Sequence, residues 1–236
     1  MNRPTVFLIP NTLGEQVPLD LSFPSENKRV IEKLKVFAVE HIKEARRLLV
    51  RLNLKHKIGE SRFYEINKNS DPDEQKDLIG EIDKGNSIGV ISDAGCPSIA
   101  DPGSGIVAHA HRKQYNVHPL VGPSSILMAL MASGFNGQSF TFHGYLDRNS
   151  EKRQQQLKQM EKQAIQLNHT QLFMETPYRN EAMIKTMLSC LNPTTRCCIA
   201  SAIQQSTAFI QTKTIADWKK SIPSIQKQPT IFLLSA

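Results

Sequence analysis

The sequence predicts an α/β protein made of two α/β domains with mostly parallel sheets. Apolar, β-rich segments alternate with helix-like segments along the chain, which is the pattern of successive β–α units. With 236 residues, of which 39% are hydrophobic, the chain is long enough to form two cores. We place the boundary at residue 120, so that residues 1–120 form an N-terminal domain and residues 121–236 a C-terminal domain.

The N-terminal half begins with a strand at residues 5–9, an apolar run bounded by Pro4 and Pro10. Later strands are predicted where short apolar runs lie between turn residues, and helices where apolar residues recur at helical spacing. The further strands of this half are predicted at 36–39, 63–66, 87–91 and 116–121, and the helices at 30–33, 44–52, 73–84 and 102–112.

The second half continues the alternation, with a long polar helix rich in Gln and Lys at residues 151–165. A short helix is predicted around Trp218, the single tryptophan of the chain. The remaining helices are predicted at 124–132 and 180–191, and the strands at 139–143, 171–174, 197–201, 208–212 and 230–234.

Several classes of protein are disfavoured by composition. The longest apolar segment, residues 126–132, is too short to cross a bilayer, and the N-terminus lacks the pattern of a signal peptide. We therefore expect a cytoplasmic protein with no membrane partner. The four cysteines form no C-x-x-C pair, so we expect no metal site and no disulfide framework.

The net charge of +7 arises from one basic segment, residues 28–62. This segment holds eleven of the 29 Lys and Arg residues and four of the 22 Asp and Glu residues, so that the rest of the chain is balanced. Such a segment suits a phosphate-bearing partner such as RNA. A solvated helix face has the same composition, so charge alone leaves both interpretations open.

Two turns with unusual composition follow predicted strands. Residues 92–103 contain two Asp, two Gly and two Pro, and a second turn occupies residues 122–125. Turns of this kind between a strand and a helix predict a ligand site at the carboxyl edge of a sheet. The G-x-G-x-x-A match at residues 103–108 does not predict a dinucleotide site, because it does not directly follow a strand and residues 102–146 contain no acidic residue.

The chain has no Walker A motif, no G-x-S-x-G nucleophile elbow and no H-E-x-x-H motif. Methyl transfer from a sulfonium donor is compatible with this absence. It is an in-line displacement on an activated substrate, and it depends on positioning and desolvation more than on a protein nucleophile.

Five motifs, in the right order, resemble the signatures of the tetrapyrrole methylase superfamily, and within it those of the ribosomal RNA small subunit methyltransferase I branch. Residues 92–103 are similar to S-D-A-G-T-P-x-x-x-D-P-G, with Cys96 in place of Thr. The strong match spans about residues 87–180. The other motifs are Val121-Gly122-Pro123-Ser124-Ser125 for P-G-P-S-A, Ala132-Ser133-Gly134 for A-S-G, Phe142-His143-Gly144-Tyr145-Leu146 for F-x-G-F-L and Glu175-Thr176-Pro177-Tyr178-Arg179 for E-S-P-H-R.

The resemblance implies a homodimer of two-domain chains that binds S-adenosylmethionine in a cleft between the domains. It implies that Ser124 and Ser125 lie beside the cofactor, at a helix N-terminus suited to a carboxylate. The other residues implied to contact the cofactor are Pro10, Asp93, Ala94, Gly95, Cys96, Ile99, Met174, Ala200 and Pro229.

Departures from the branch pattern are concentrated outside the two turns. Residues 39–43 keep only Glu40 of A-E-D-T-R, and residues 64–67 keep Glu65 and Asn67 of H-E-x-N. Residues 200–205 lack the Arg, Glu and Lys of A-R-E-L-T-K, and the C-terminal extension of the branch is not present in the sequence. The cofactor half therefore resembles the branch more closely than the substrate half.

The acidic residues near the turns have structural as well as catalytic interpretations. Asp101 before Pro102 is interpreted as a helix N-cap. Asp93 suits an Asx turn or a proton transfer, and Glu175 suits a pair with Arg179 or a substrate contact. A ribose hydroxyl benefits from a general base, for which Asp93, Glu40, Glu65 and Glu175 are candidates, so the catalytic residue stays unassigned.

We predict an S-adenosylmethionine-dependent methyltransferase that acts on a ribose 2′-hydroxyl of a cytidine in 16S rRNA, with RNA or a ribosomal subunit held by the basic segment. One alternative is a methyltransferase for a tetrapyrrole (a corrin or porphyrin) or another small molecule. The other is a catalytically inactive cofactor-binding partner protein, which the charges missing from residues 201–205 suggest.

Overall fold

The computed structural model describes residues 3–67, 72–225 and 227–235. The chain divides into two compact units, Met1–Ser124 and Ser125–Ala236, whereas the sequence analysis places the division at residue 120. Each unit contains a five-stranded sheet with helices packed on it, and the α/β class is confirmed.

The first unit is built on a fully parallel sheet. Two of its three central strands are wholly buried between two helical layers and the third is partly buried there, which explains why they read as continuous apolar runs. The strands are β1 (Thr5–Ile9), β2 (Val36–Val39), β3 (Arg62–Glu65), β4 (Ile88–Ile91) and β5 (Asn116–Pro119), in the order β3-β2-β4-β1-β5.

The helices of this unit divide between the two faces of the sheet. Helices α1 (Ser25–Lys33) and α2 (Ile42–Arg51), which follow β1 and β2, share one core with Phe37. Helices α4 (Pro72–Asp83) and α5 (Ser104–Arg112), which follow β3 and β4, bury their apolar residues in a second core on the other face. A short helix, α3 (Lys57–Glu60), and a 3₁₀ helix (Leu19–Leu21) complete the described helical segments.

This division creates a crevice at the carboxyl end of β4. The chain leaves β4 towards one face of the sheet, whereas it leaves both neighbouring strands, β1 and β2, towards the other face. In open parallel sheets such a point is where ligands bind, because no connection crosses the strand ends there.

The second unit has a mostly antiparallel sheet, and the prediction of mostly parallel pairing was wrong here. Only the first two strands of the sheet pair in parallel. The chain returns from β8 to β9 after seven residues, a connection too short for the crossover that parallel pairing requires. The strands are β6 (Phe140–Tyr145), β7 (Thr170–Glu175), β8 (Arg196–Ser201), β9 (Phe209–Thr214) and β10 (Thr230–Ser235), in the order β6-β7-β10-β8-β9.

Helices cover this sheet and close a single core cluster that includes Trp218. The indole nitrogen of Trp218 donates a 2.9 Å hydrogen bond to the backbone carbonyl of Cys197, so the buried polar atom of the ring is satisfied. The helices are α6 (Ser125–Ser133), α7 (Ser150–Leu167), α8 (Asn180–Cys190) and α9 (Ile215–Lys220), with a 3₁₀ helix at Pro177–Arg179. None of the helices in the described ranges is long and apolar enough to cross a membrane.

Candidate functional site

Three turns of the first unit converge at the carboxyl edge of its sheet. The backbone of Asn11, after β1, exchanges hydrogen bonds of 2.9 and 3.1 Å with Gly95, after β4. The turn after β5 approaches both, since a Cβ atom on Gly122 would lie 2.2 Å from Cγ of Pro10. The Cys96 thiol donates to the carbonyl of Pro123 at 3.4 Å. The two turns that the sequence singled out are therefore in contact.

The turn after β4 holds its shape by backbone conformations that few residues adopt. Gly95 and Gly103 have φ values of 70° and 125°, and Ser98 has a φ of 68°. The Ser92 hydroxyl forms a 2.8 Å hydrogen bond to the carbonyl of Ala94. These contacts fix the turn between residues 92 and 103, which is the preorganisation that a binding loop needs.

The exposed part of this turn is small, neutral and unreactive. Ala94 is exposed and Ile99 is 52% exposed. Burial raises the pKa of the Cys96 thiol, and the charge of Asp101 adds to this increase. Because the thiolate is the nucleophilic form, Cys96 stays unreactive at neutral pH.

A cluster of titratable side chains lies beside the turn, at the end of β2. His41 Nδ1 is 2.6 Å from Oδ2 of Asp93, and this hydrogen bond raises the pKa of His41. Burial, followed by the charges of Asp101 and Asp93, raises the pKa of Glu40 to about 7. One side-chain nitrogen or carboxylate oxygen from each of Glu40, His41 and Asp93 lies within 4.8 Å of the others. A change in the charge of any one of these groups therefore affects the other two.

The end of β3 holds this cluster in place. Oε1 of Glu65 accepts a 3.0 Å hydrogen bond from the backbone nitrogen of Ile42, the first residue of α2. Nδ2 of Asn67 donates to the carbonyl of Glu40 at 3.2 Å. Glu65 therefore satisfies a free helix N-terminal donor, which is a positioning role and not that of a general base.

Asp101 was wrongly interpreted as a helix N-cap. Helix α5 begins at Ser104, its N-cap residue is Gly103, and no side chain caps it. The Asp101 carboxylate instead shares the hydrogen of the Ser92 hydroxyl with the Ala94 carbonyl, and it accepts a hydrogen bond from the protonated carboxyl of Glu40.

A groove of about 1280 Å³ runs from this cluster along α2. One wall is the exposed face of α2, and the other is the loop that follows β1. Nη1 of Arg51 donates to Oγ1 of Thr12 at 2.8 Å, and Arg47 pairs with Glu15, so both contacts join the walls. The groove residues are Asn11, Thr12, Gly14, Glu15, His41, Ile42, Lys43, Glu44, Arg46, Arg47, Leu48, Val50, Arg51, Asp93 and Ala94.

The predicted cofactor residues of the second unit lie at strand and helix ends. In the sheet register, Met174 of β7 and Ala200 of β8 lie on either side of Ile231 of β10. The carbonyl of Pro229 accepts a 2.9 Å hydrogen bond from the backbone nitrogen of Ala202, and Ser125 begins α6. Met174, Ala200 and Pro229 thus lie at the same end of the three inner strands of this sheet.

Glu175 pairs with Arg179. The Glu175 side chain is 1% exposed, and its carboxylate accepts hydrogen bonds of 2.9 and 2.5 Å from Nε and Nη2 of Arg179. A third bond, of 2.7 Å, comes from the backbone nitrogen of Thr176. With its oxygens engaged, Glu175 holds the end of β7 and is not a candidate general base.

The motifs gave no signal for Asn11 and His41. Asn11 stands in residues 10–15, where the branch usually has P-T-P-I-G-N, and His41 stands in residues 39–43, where it has A-E-D-T-R. The strand ends did give one, because each residue lies within two positions of the carboxyl end of a parallel strand. In a parallel sheet those ends meet at one edge.

Comparisons with known proteins show what the chain is similar to. No family model matches the sequence. The chain is similar to curated proteins named ribosomal RNA small subunit methyltransferase I: that of Vibrio cholerae is 27% identical over 219 residues, covering 91% of this chain and 70% of the relative. That of Buchnera aphidicola is 27% identical over 235 residues, covering 97% of this chain and 77% of the relative. That of Streptococcus pyogenes serotype M6 is 31% identical over 186 residues, covering 79% of this chain and 60% of the relative.

Two solved structures share the fold. The methyltransferase CobJ matches with a TM-score of 0.64 at 14% identity, over 100% of this chain and 94% of that chain. Uroporphyrin-III-C-methyltransferase from Thermus thermophilus matches with a TM-score of 0.54 at 15% identity, over 99% and 92%. The fold is therefore that of the tetrapyrrole methylases, and the chain is a methyltransferase. Its sequence is similar over most of its length to the proteins named ribosomal RNA small subunit methyltransferase I.

Proposed function

We propose that the chain transfers a methyl group from S-adenosylmethionine to a ribose 2′-hydroxyl of a cytidine in 16S rRNA. The observation that carries this proposal is the convergence of the three turns at the crevice beside β4, where a preorganised binding loop meets the ends of β1 and β5. The names of the curated relatives support rRNA as the acceptor.

The residues of the turn fit a sulfonium donor. S-adenosylmethionine supplies an electrophilic methyl group, which any nearby thiolate or amine would intercept. The turn presents Ala94 and Ile99, and the raised pKa of Cys96 keeps its thiol protonated, so the turn itself offers no thiolate or amine to the methyl group. In the proposed reaction the oxygen–carbon bond forms as the sulfur–carbon bond breaks, which leaves S-adenosylhomocysteine and one proton.

The cluster beside the turn is suited to handling that proton. A general base works best when its pKa lies near the operating pH, and burial together with two neighbouring carboxylates brings the pKa of Glu40 to about 7. Asp93 holds the ring of His41 by the 2.6 Å hydrogen bond, and the contacts from Glu65 and Asn67 fix the chain on either side. We therefore assign proton transfer to the Glu40–His41–Asp93 cluster as part of this proposal.

Two measurements test the donor and the acceptor separately. We expect calorimetry to show S-adenosylmethionine binding by the wild type, and we expect Ala94→Leu, which enlarges the exposed side chain of the turn, to weaken it about tenfold. The matched control is Ala108→Leu, an exposed position on α5 outside the turn, which should bind as the wild type does. Equal affinities for the wild type and Ala94→Leu would remove the turn from the donor site.

For the acceptor, 30S subunits from a strain that lacks the modification should take up radiolabelled methyl groups in the 2′-O position. Methylation of a tetrapyrrole instead of RNA would favour the small-molecule alternative. S-adenosylmethionine binding without transfer to either acceptor would favour the inactive partner protein.

Three parts of the proposal rest on the resemblance. We infer that Ser124, Ser125, Met174, Ala200 and Pro229 contribute to cofactor binding, that the chain forms a homodimer and that it acts in the cytoplasm, where ribosomal subunits are modified. Light scattering coupled to size-exclusion chromatography tests the homodimer, and alanine or glycine variants at the named positions test the cofactor contacts.

A further inference from the structure

The exposed face of α2 carries two cationic side chains that the fold does not use for ion pairs. Lys43 and Arg46 line the groove and are exposed, and in the described part of the chain neither has an acidic partner. The guanidinium of Arg46 lies 5.8 Å from the ring centroid of Phe63, which orients it without neutralising it. Glu44, the acidic residue between them, is paired with Arg47 at 2.9 Å.

The other cations of this face have a structural task. Arg47 is paired with Glu15 and Glu44, and Arg51 donates to Thr12 and to the carbonyl of Val17. These contacts fix the loop after β1 against α2 and so shape the groove. Lys43 and Arg46 are then the cations of the face that remain available to a ligand.

The groove is continuous with the proposed methyl-donor turn. Its lining includes Ala94 and Asp93 at one end and Val50 and Arg51 at the other. Residues 43–51 of α2 extend over about 12 Å at 1.5 Å per residue, a length that exceeds a single phosphate group. The aliphatic stems of the basic residues and Val50, which is 49% exposed, give the walls apolar surface between the charges.

We propose that this groove binds the phosphodiester backbone of the RNA next to the methylated nucleotide, with Lys43 and Arg46 as the phosphate contacts. The inference rests on the proposed function, because a ribose placed beside Ala94 must have its neighbouring phosphates within a few ångströms. Cations along an apolar groove suit a single strand, whose phosphates take the charge and whose sugars and bases cover the apolar surface.

The test compares two double variants that remove the same charge. Lys43→Ala/Arg46→Ala removes the groove cations. Lys33→Ala/Lys35→Ala removes two exposed cations of the same basic segment, but these lie just before β2, at the amino edge of the sheet. The probe is a fluorescein-labelled single-stranded RNA oligonucleotide, with affinity measured by anisotropy over a series of potassium chloride concentrations.

We expect the groove variant to bind the RNA about tenfold more weakly than the wild type at low salt. The logarithm of the association constant falls linearly with the logarithm of the salt concentration, with a slope of about −0.7 for each phosphate of a single strand that a cation neutralises. Removing both cations should therefore make this slope less steep by about 1.4. The amino-edge variant should keep the wild-type slope. Equal reductions of affinity in both variants, or a wild-type slope in the groove variant, would overturn the proposal.

This result is separable from that of the proposed function. Anisotropy needs no methyl transfer, so it tests the groove even where 30S subunits accept no methyl group, an outcome that counts against the proposed function alone. If the wild type does methylate 30S subunits, the groove variant should raise KM for the subunit more than it lowers kcat. An unchanged KM would overturn the groove while the proposed function stands.

Discussion

Asn11 and Gly95 exchange two backbone hydrogen bonds, of 2.9 and 3.1 Å, that join the turns after β1 and β4. The side chain of Asn11 adds a third bond, from Nδ2 to the carbonyl of Asp93 at 3.1 Å. The turns that follow two neighbouring parallel strands are thus joined by an isolated antiparallel bridge. The consequence is that the turn after β4 is part of the sheet's rigid frame, which suits a binding loop that must be in place before its ligand arrives.

The contact between Gly122 and Pro10 extends this frame to the turn after β5. Gly122→Ala would place a methyl group 2.2 Å from Cγ of Pro10, and the buried ring has no space to move away. We expect a loss of about 2 kcal/mol in the stability of the first unit, from overpacking, together with weaker S-adenosylmethionine binding. Urea unfolding followed by circular dichroism and calorimetry with S-adenosylmethionine measure the two effects.

The matched control for Gly122→Ala is Gly105→Ala. Gly105 lies in α5, where an added Cβ meets no other atom within 4 Å, and alanine is the better helix former. We expect this control to be as stable as the wild type or more stable, with unchanged cofactor binding. A Gly122→Ala protein that matches the control in both measurements would show that the close approach to Pro10 is not needed.

Local sequence signals predicted most of the first unit. The strand at residues 5–9 has the predicted bounds because two prolines delimit it, and residues 36–39 read as a strand because burial on both faces makes them wholly apolar. Helix α1 begins at Ser25, five residues before its predicted start, because its first turn is polar and shows no apolar period, although Asn27 in this turn is buried. Periodicity detects only the part of a helix that packs on the core.

Contacts between distant residues were beyond local signals. The position of β10 between β7 and β8 depends on pairing between residues that are far apart in the sequence, so the alternation of elements did not reveal the antiparallel sheet. Asp101 followed by Pro102 has the local signature of a helix start, yet its carboxyl group is taken by Ser92 and Glu40. In both cases a non-local contact overrode a local preference.

The ion pair of Glu175 and Arg179 is expected to stabilise the second unit. Arg179→Met keeps the aliphatic stem but leaves the carboxylate of Glu175, which is 1% exposed, without its partner. Removing one member of a buried pair costs about 3 kcal/mol, and we expect a loss of this size. Urea unfolding followed by the fluorescence of Trp218, which lies in the core of this unit, measures it.

Lys220→Met provides the comparison for that pair. It removes the partner of Asp217 in an exposed pair, and we expect its unfolding midpoint to match that of the wild type within error. If Arg179→Met proves no less stable than Lys220→Met, Glu175 is held by its backbone contact and not by the arginine.

Glu40 should make the stability of the first unit depend on pH between about 4.5 and 7. Burial and the charges of Asp101 and Asp93 raise its pKa in the folded chain from 4.5 to about 7, so the folded state favours the protonated carboxyl. The stabilising contribution of the protonated carboxyl is fully present below the unfolded pKa of 4.5 and is lost as pH rises through the folded pKa of about 7.

Glu40→Gln keeps a neutral hydrogen-bond donor towards Asp101 at every pH. We expect this variant to exceed the wild type in stability at pH 8 by about 1 kcal/mol, a value reduced for the partial exposure of the side chain, and to match it near pH 4.5. The difference between variant and wild type reports the titration of Glu40 together with its coupling to His41 and Asp101. Thermal unfolding across this pH range measures the difference, with Glu32→Gln, an exposed position on α1, as the control. A constant difference from pH 4.5 to pH 8 would mean that folding does not raise the pKa of Glu40.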